Sequence, residues 1–305
     1  MNFLSNSSLI PSPPLAAALT ETTSIDLFQA IQTKAIATPL CQEPILTTYV
    51  SSADPSSPSD NTPIVLLHGF DSSVMELRRL FPLLAAHHET WAIDLLGFGF
   101  TERPDTLTFS ATTIKEHFFH TWQTLINRPM VLVGTSMGGA AAIDFCLAYP
   151  HAVEKLVLID SAGLTRSPNL GSIMIPPLSW FAAEFLRNRQ VRKGISKAAY
   201  FDKQWASEDA LTCSMLHVTR PNWRQSMISF ARNGGYTRVS QPMVEKITCP
   251  TLILWGRNDE ILGTKDAPKF AQAIADSKLV WCDRCGHVPH LEQPEQTATY
   301  ILEFL

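Results

Sequence analysis

The stretch Pro129-Met-Val-Leu-Val-Gly-Thr-Ser-Met-Gly-Gly-Ala140 decides the fold. It begins as an apolar run typical of a buried strand, passes through a Gly-x-Ser-x-Gly turn, and ends in small residues that open a helix. This is the context that a nucleophile elbow requires. Gly134 and Gly138 flank the serine because side chains there would clash in so tight a turn. The stretch therefore predicts a nucleophilic Ser136 at a sheet edge, with the Met137 amide pointing at a developing oxyanion.

Five more short apolar runs, each ending near Gly, Asp or His, surround this stretch. Apolar runs without alternation are typical of strands that are buried on both faces. The runs are Ile64–Leu67, Thr90–Ile93, Lys155–Ile159, Thr251–Leu254 and Lys278–Trp281. Helix-like segments separate several of them, so we predict an α/β fold: a mostly parallel sheet with helices on both faces. Ligands of such sheets bind at the carboxyl ends of the strands.

The order of these patterns also predicts a domain organisation. Residues 1–24 are rich in Ser, Pro and Ala, and we expect them to be poorly ordered. Residues 25–162 form the first part of the core and open with one short helix, Ile25–Ile36. Residues 163–243 have helical character without buried-strand runs, which indicates a helical lid inserted after the Lys155–Ile159 strand. That strand is the sixth when two earlier β-like runs are counted. Residues 244–305 complete the core.

A serine needs a general base, and the base needs an acid to orient it. His287 follows the last apolar run directly after Gly286, and we prefer it to the nearby His290 as the base. Asp259 follows the Thr251–Leu254 run and is the preferred acid. Asp160 also ends a strand and remains the alternative. Residues just past different strands converge only if those strands are parallel, so the site and the fold support each other.

The loop after the Ile64–Leu67 strand carries His68-Gly69-Phe70-Asp71. A glycine there lets the backbone approach a substrate, so we predict the Phe70 amide as the second oxyanion donor. We interpret His68 as a histidine that packs within its loop. The other histidines lack paired metal-ligand spacing, so we predict neither a metal nor a cofactor.

Composition excludes several classes of function. A net charge of −4 gives no basic field for nucleic acid. No apolar stretch reaches the roughly 18 residues that a membrane span needs. The first 33 residues contain no Lys or Arg, so we expect neither secretion nor a transit segment. The six scattered cysteines favour an intracellular location. Cys282 and Cys285 form one C-x-x-C pair without the further ligands of a zinc site, and their role stays open.

The lid contains an apolar segment, Leu170–Leu186, with only three polar side chains, and a basic cluster follows it. Its large apolar residues are our candidates for lining the substrate pocket: Met174, Trp180, Phe181 and Phe185. One interpretation is a lid that only packs over the core. The other is a lid that also touches a membrane surface, where its basic end would meet anionic headgroups. Both stay open, as does the oligomeric state.

From about Ile64 to Leu305 the chain resembles the α/β-hydrolase superfamily, and more narrowly the cyanobacterial and chloroplast branch that includes the chlorophyll dephytylases. The passages that carry this resemblance are Leu67–Ser73, Glu89–Asp94, Asn233–Tyr236, Leu252–Gly256 and Cys285–His290. The resemblance implies a Ser-His-Asp triad at Ser136, His287 and Asp259. We therefore expect an intracellular location, either cytoplasmic or peripherally associated with a thylakoid-type membrane.

Three functional hypotheses follow. The first is a serine carboxylester hydrolase that forms an acyl-enzyme on a bulky apolar ester, with the phytyl ester of chlorophyll as the leading candidate. The second keeps the fold but hydrolyses a carbon–carbon bond of a dienone acid, with Arg166 or Arg192 as the cationic partner, or carries out cofactor-free perhydrolysis. The third is a protein that binds a ligand without catalysis.

Overall fold

The computed structural model describes residues 16–54, 56, 61–164, 177–236 and 239–305. In these residues eight strands form one sheet in the order β1-β2-β4-β3-β5-β6-β7-β8. The strands are β1 (Gln32–Ile36), β2 (Ile45–Ser51), β3 (Ile64–Leu67), β4 (Thr90–Ile93), β5 (Met130–Thr135), β6 (Val153–Ile159), β7 (Thr251–Gly256) and β8 (Ser277–Cys282). Strands β3 to β8 run parallel, while β1 and β2 are antiparallel to their neighbours. The predicted α/β class with a mostly parallel sheet is confirmed.

Helices cover both faces of the sheet. The helices of the core are α1 (Thr22–Gln29), α2 (Leu80–Ala85), α3 (Ala111–Leu125), α4 (Met137–Ala148), α10 (Ala267–Ala273), α11 (Pro289–Glu292) and α12 (Pro294–Phe304). Along β5, Met130 and Leu132 enter one apolar cluster, and Val131 and Val133 enter the other. Both faces of the strand are therefore buried, which explains why its sequence is continuously apolar.

The predicted lid interval lies between β6 and β7, and its described part contains helices joined by turns and no strand. Its helices are α5 (Leu178–Arg187), α6 (Arg189–Ala199), α7 (Glu208–Met215), α8 (Trp223–Arg232) and α9 (Gln241–Val244). Helix α5 packs on α8, and α6 packs on α7. We call residues 177–236 the cap. None of the described helices is long and apolar enough to cross a membrane.

The amino-terminal part differs from the prediction in two ways. Instead of one helix over Ile25–Ile36, α1 ends at Gln29 and the chain then forms strand β1, paired with β2. Residues 32–36 form a strand and not a helix because every one of them pairs with a residue of β2. Such a pairing cannot be recognised from the local sequence.

The segment expected to be poorly ordered also differs where it is described. Residues 1–15 lie outside the described residues, but the amides of Thr20 and Glu21 and the hydroxyl of Ser24 all donate to the Asp209 carboxylate of the cap. A buried carboxylate must be hydrogen-bonded, so Asp209 fixes this segment across almost 190 residues of sequence.

Candidate active site

The serine turn has the strained geometry of a nucleophile elbow. Ser136 has φ 51° and ψ −118°, a conformation that non-glycine residues adopt only when their surroundings impose it. A Cβ added to Gly134 would lie 2.3 Å from the Gly138 carbonyl oxygen, and one added to Gly138 would lie 2.5 Å from the His68 carbonyl oxygen. Both glycines are therefore required. Ser136 remains partly exposed at the carboxyl end of β5.

His287 and Asp259 meet at the same edge of the sheet. The Nδ1 atom of His287 lies 2.9 Å from Oδ2 of Asp259, and both side chains are buried. The other carboxylate oxygen of Asp259 accepts the amides of Ile261 at 2.7 Å and Leu262 at 3.0 Å. Burial alone would raise the pKa of Asp259, but the hydrogen bond with His287 and these amides lower it below its usual value. Asp259 is therefore a fixed anion beside the imidazole.

Asp160, the alternative acid, has a different environment. It is fully buried, and its carboxylate accepts the amide of Gly256 at 3.1 Å. Burial and then the nearby charge of Asp259 raise its pKa well above the usual value. One atom each of Asp160, Asp259 and His287 lie within 4.8 Å of one another, a spacing that would suit a metal ion. His287 Nδ1 and Asp259 Oδ2, however, already bond to each other. In the described contacts the histidine thus pairs with Asp259.

His290, the alternative base, faces elsewhere. Its Nε2 atom lies 3.3 Å from Oε1 of Glu76. Glu76 lies in the turn that follows His68–Asp71, which we call the Phe70 loop. Glu76 was not predicted from the sequence. Its only signal there is an acidic residue within the apolar stretch Val74–Leu77, which becomes a buried 3₁₀ turn.

The Phe70 loop runs beside the serine. A Cβ on Gly69 would lie 3.4 Å from the Cβ of Ser136. The ring of Phe70 is 46% exposed and lies against those of Phe98 and Phe230. Met137 begins helix α4, whose first amides have no acceptor within the helix. The two predicted oxyanion donors thus lie on segments that flank the serine.

Asp71, the next residue of the loop, binds three parts of the cap. Its carboxylate pairs with the guanidinium of Arg192, accepts the indole N–H of Trp223 at 2.8 Å, and lies 3.1 Å from Nε2 of His217. Burial would raise the pKa of Asp71, but His217 and Arg192 lower it below its usual value. Sequence inspection missed this cluster because its members are more than 120 residues from Asp71.

A cavity of about 210 Å³ lies between the Phe70 loop and the cap. Its wall is mostly apolar, and Val288, the residue after His287, forms part of it. The charged side chains in the wall are Asp71, Glu76, Arg78 and Arg192. Arg192 is already paired with Asp71, and Arg166, the other predicted cation, lies outside the described residues.

The predicted pocket residues of the lid occupy the surface. Trp180, Phe181 and Phe185 are 45%, 59% and 62% exposed, and none of them lines this cavity. Leu186 and Ile195 line it instead; Leu186 also packs against the core, whereas Ile195 is 47% exposed. Met174 lies outside the described residues.

The C-x-x-C pair is buried. Burial raises the pKa of Cys282 to about 12 and also raises that of Cys285. Both thiols are therefore protonated at neutral pH and are poor nucleophiles and metal ligands.

The sheet order and the elbow at the end of β5 define an α/β hydrolase. A family model described as the alpha/beta hydrolase family matches residues 64–299, and the chain belongs to this family. It is a hydrolase of that fold, and the resemblance to the superfamily is confirmed.

Among individual proteins, the chain is 34% identical over 247 residues to the alpha/beta hydrolase domain-containing protein VTE7 of Arabidopsis thaliana, which covers 80% of this chain and 74% of VTE7. It is 28% identical over 251 residues to a 2-hydroxy-6-oxo-2,4-heptadienoate hydrolase of Pseudomonas putida, covering 80% and 88%. It is 26% identical over 268 residues to the human monoacylglycerol lipase ABHD6, covering 81% and 76%.

Solved structures share the fold. An esterase from Thermogutta terrifontis matches with a TM-score of 0.74 at 21% identity, covering 90% of this chain and 97% of the esterase. A meta-cleavage product hydrolase from Pseudomonas fluorescens matches with a TM-score of 0.72 at 22% identity, covering 89% and 96%. An esterase and a meta-cleavage product hydrolase thus share this architecture, so the fold does not select the substrate.

Proposed function

We propose that the protein is a serine carboxylester hydrolase with Ser136 as nucleophile, His287 as general base and Asp259 as the acid that orients it. The observation that carries this proposal is the 2.9 Å contact between His287 and Asp259 at the sheet edge where Ser136 adopts its strained turn. Asp160 is not the orienting acid in this proposal, because the hydrogen bond of His287 Nδ1 is made with Asp259.

The reaction has two stages. His287 takes the proton of the Ser136 hydroxyl as the oxygen attacks the ester carbonyl, and the amides of Phe70 and Met137 stabilise the oxyanion. His287 then protonates the leaving alkoxide, which departs as an alcohol. A water molecule attacks the acyl-enzyme in the same way and releases the carboxylic acid. Asp259 stabilises the imidazolium that forms in each stage.

The substrate is a bulky apolar ester. The mostly apolar wall of the cavity supports an apolar substrate, and one relative is named as a monoacylglycerol lipase. The phytyl ester of chlorophyll is the leading candidate, through the resemblance of the sequence to the dephytylases. Products would then be chlorophyllide and phytol.

Such a substrate requires a membrane. Burying a chain of about 20 carbons from water would yield about 16 kcal/mol, close to the ceiling of non-covalent affinity, so the product would leave very slowly. When the same chain is taken from a bilayer, its transfer to the protein yields little free energy, because the chain is already in an apolar medium. The product can then leave, and turnover becomes feasible. The exposed Trp180, Phe181 and Phe185 are the apolar surface that we propose to touch a thylakoid-type membrane.

Incubation with chlorophyll in detergent or vesicles tests the substrate, with chlorophyllide as the expected product. Short p-nitrophenyl esters test the chemistry separately. Turnover of the short esters without formation of chlorophyllide would rule out the phytyl ester as substrate but would still support an esterase. A fluorophosphonate probe that fails to label Ser136 would instead favour a non-catalytic ligand-binding protein.

One observation favours the carbon–carbon hydrolase as a second candidate. Arg78 is buried in the cavity wall, and its Nε and Nη2 atoms form no hydrogen bond within the described residues. These donors would suit the carboxylate of a dienone acid, the kind of substrate named for the Pseudomonas putida relative. Glu21 and Asp209, each 3.8 Å from Arg78 Nε, already balance its charge, which makes this candidate the weaker one. Loss of the yellow absorbance of a ring-fission product on incubation with the protein would favour the carbon–carbon hydrolase.

A further inference from the structure

The Glu76 carboxylate touches three separate segments of the candidate site. The amide of Gly69 donates to its two oxygens at 3.1 Å and 3.2 Å. The hydroxyl of Thr135 donates to Oε1 at 2.7 Å. Nε2 of His290 lies 3.3 Å from the same oxygen. Glu76 therefore joins the Phe70 loop, the serine turn and the segment that follows His287.

Each of these partners is close in sequence to a proposed catalytic group. Gly69 precedes Phe70, whose amide is the proposed oxyanion donor, and Thr135 precedes Ser136. His290 lies on α11, which begins two residues after His287. One carboxylate thus hydrogen-bonds the residues before the donor and before the nucleophile, and it lies 3.3 Å from the segment that follows the base.

Glu76 is an anion at neutral pH. Burial would raise its pKa, but His290, His68 and Ser72 outweigh burial and lower the pKa to about 2. Hydrogen bonds to an ionised acceptor are about twice as strong as neutral ones. Taking a carboxylate out of water is costly, so its hydrogen bonds to the Gly69 amide and the Thr135 hydroxyl must be well aligned. This requirement restricts how far either segment can shift.

We propose that Glu76 is a positioning residue that holds the Phe70 amide at the distance from Ser136 that the transition state requires. This inference rests on the proposed esterase function. Glu76 does not touch the reacting atoms. It acts through the Gly69 amide on one side and the Thr135 hydroxyl on the other, and so keeps the oxyanion donors preorganised before substrate arrives.

The test is Glu76→Gln, which keeps the shape of the side chain but removes its charge and one acceptor oxygen. We expect kcat on a p-nitrophenyl ester to fall about 10- to 100-fold, with KM changed less than about threefold, because only the transition state uses the positioned donors. The affinity of a boronic acid that mimics the tetrahedral intermediate should fall with kcat/KM. The affinity of an unreactive ether analogue should stay unchanged.

Glu89→Gln is the matched control. Glu89 has the same 13% side-chain exposure as Glu76 and forms an ion pair with Arg128, but it lies just before β4, at the opposite edge of the sheet. It should leave kcat and the boronic acid affinity unchanged. If Glu76→Gln folds poorly, Thr135→Val removes one partner and should lower kcat about 3- to 10-fold at constant KM.

The outcomes separate the two proposals. If the wild type labels with a fluorophosphonate and Glu76→Gln matches the control in kcat and boronic acid affinity, the positioning role is wrong and the esterase stands. A change in KM alone would also overturn the role. If the wild type neither labels nor hydrolyses any ester, the esterase proposal fails, and the role of Glu76 fails with it.

Discussion

The sheet edge and the cap position their parts of the site in different ways. On the sheet edge, Ser136, Asp259 and His287 each follow a parallel strand, so backbone ladders place them. The cap is held to the Phe70 loop by one buried carboxylate, Asp71, with three donors from distant segments. Strand patterns are local and can be recognised in the sequence. Polar contacts between distant segments cannot, and they are what sets the shape of the cavity.

The largest effect expected at the sheet edge comes from Ser136→Ala. Loss of the nucleophile should lower kcat on p-nitrophenyl esters by roughly 10⁴- to 10⁶-fold, with the melting temperature unchanged or higher because the strained residue has only become smaller. Steady-state kinetics and a thermal melt check this. Activity within tenfold of the wild type would show that the elbow is not the site of the chemistry.

A comparison of two acids sharpens the assignment at the same edge. Asp259→Asn should lower kcat by on the order of 10⁴-fold, because the imidazole loses the acceptor that fixes its tautomer. Asp160→Asn should have a far smaller effect, because His287 Nδ1 contacts Asp259 and because the side-chain oxygen of asparagine can still accept the Gly256 amide. The kinetics of both variants on one ester measure this. The reverse order would make Asp160 the orienting acid.

The cap should fail differently, through Asp71→Ala. This change leaves the buried Arg192 without its anion, a loss that typically costs about 3 to 5 kcal/mol. Limited proteolysis and hydrogen exchange should show opening of the cap while the strands stay protected. Glu208→Gln is the control, since Glu208 pairs with Arg189 and Lys193 on the surface and should change neither measurement. Uniform loss of protection would show that cap and core unfold as one unit.

Acid should weaken the core in a defined window. Burial, and then the charge of His120, lower the pKa of His117 to about 3. A folded-state pKa below the unfolded value near 6.5 means that the unfolded chain binds the extra proton. The stability that neutral His117 provides is therefore complete above pH 6.5 and is lost as the pH falls toward 3, by at most about 1.4 kcal/mol per pH unit. Urea unfolding of His117→Gln should depend less on pH in this window, and an unchanged dependence would contradict the assignment.

The smallest effect is expected on the outer face of the cap. Phe181→Ser combined with Phe185→Ser should weaken binding to vesicles of anionic lipid by about tenfold or more, because two exposed rings no longer enter the interface. Activity on a water-soluble ester should stay the same. Phe181→Leu with Phe185→Leu is the control that keeps the surface apolar. Equal vesicle binding by both pairs would exclude this face as the membrane contact.

The sequence-based predictions were accurate for features with local patterns and missed features that depend on contacts between distant segments. The parallel strands β3 to β7 and the elbow were predicted because a strand buried on both faces is continuously apolar and a tight turn must contain glycine. Strand β8 was predicted from a similar run, but it lies at the edge of the sheet and is only partly buried. Strand β1 was missed because its stability comes from pairing with β2. Glu76 and Asp71 were missed because a single acidic residue in a loop gives no sign of partners far away in sequence. The roles of Ser136, Asp259 and His287 stay predictions until activity is measured.

The contact between the cap and the His287 segment limits how this enzyme can be engineered. The His287 amide donates to the Ala199 carbonyl at 2.7 Å, and a Cβ on Gly286 would lie 2.3 Å from the same oxygen. The end of helix α6 is therefore packed against Gly286 and His287, and a shift of one would move the other. A chimera that exchanges caps to change substrate range should therefore keep residues 199–201 with the host core and graft only what lies outside them. If the whole interval between β6 and β7 were exchanged, Ala199 would come from the donor protein and His287 from the host. The contact between them would then be lost, and His287 would be displaced.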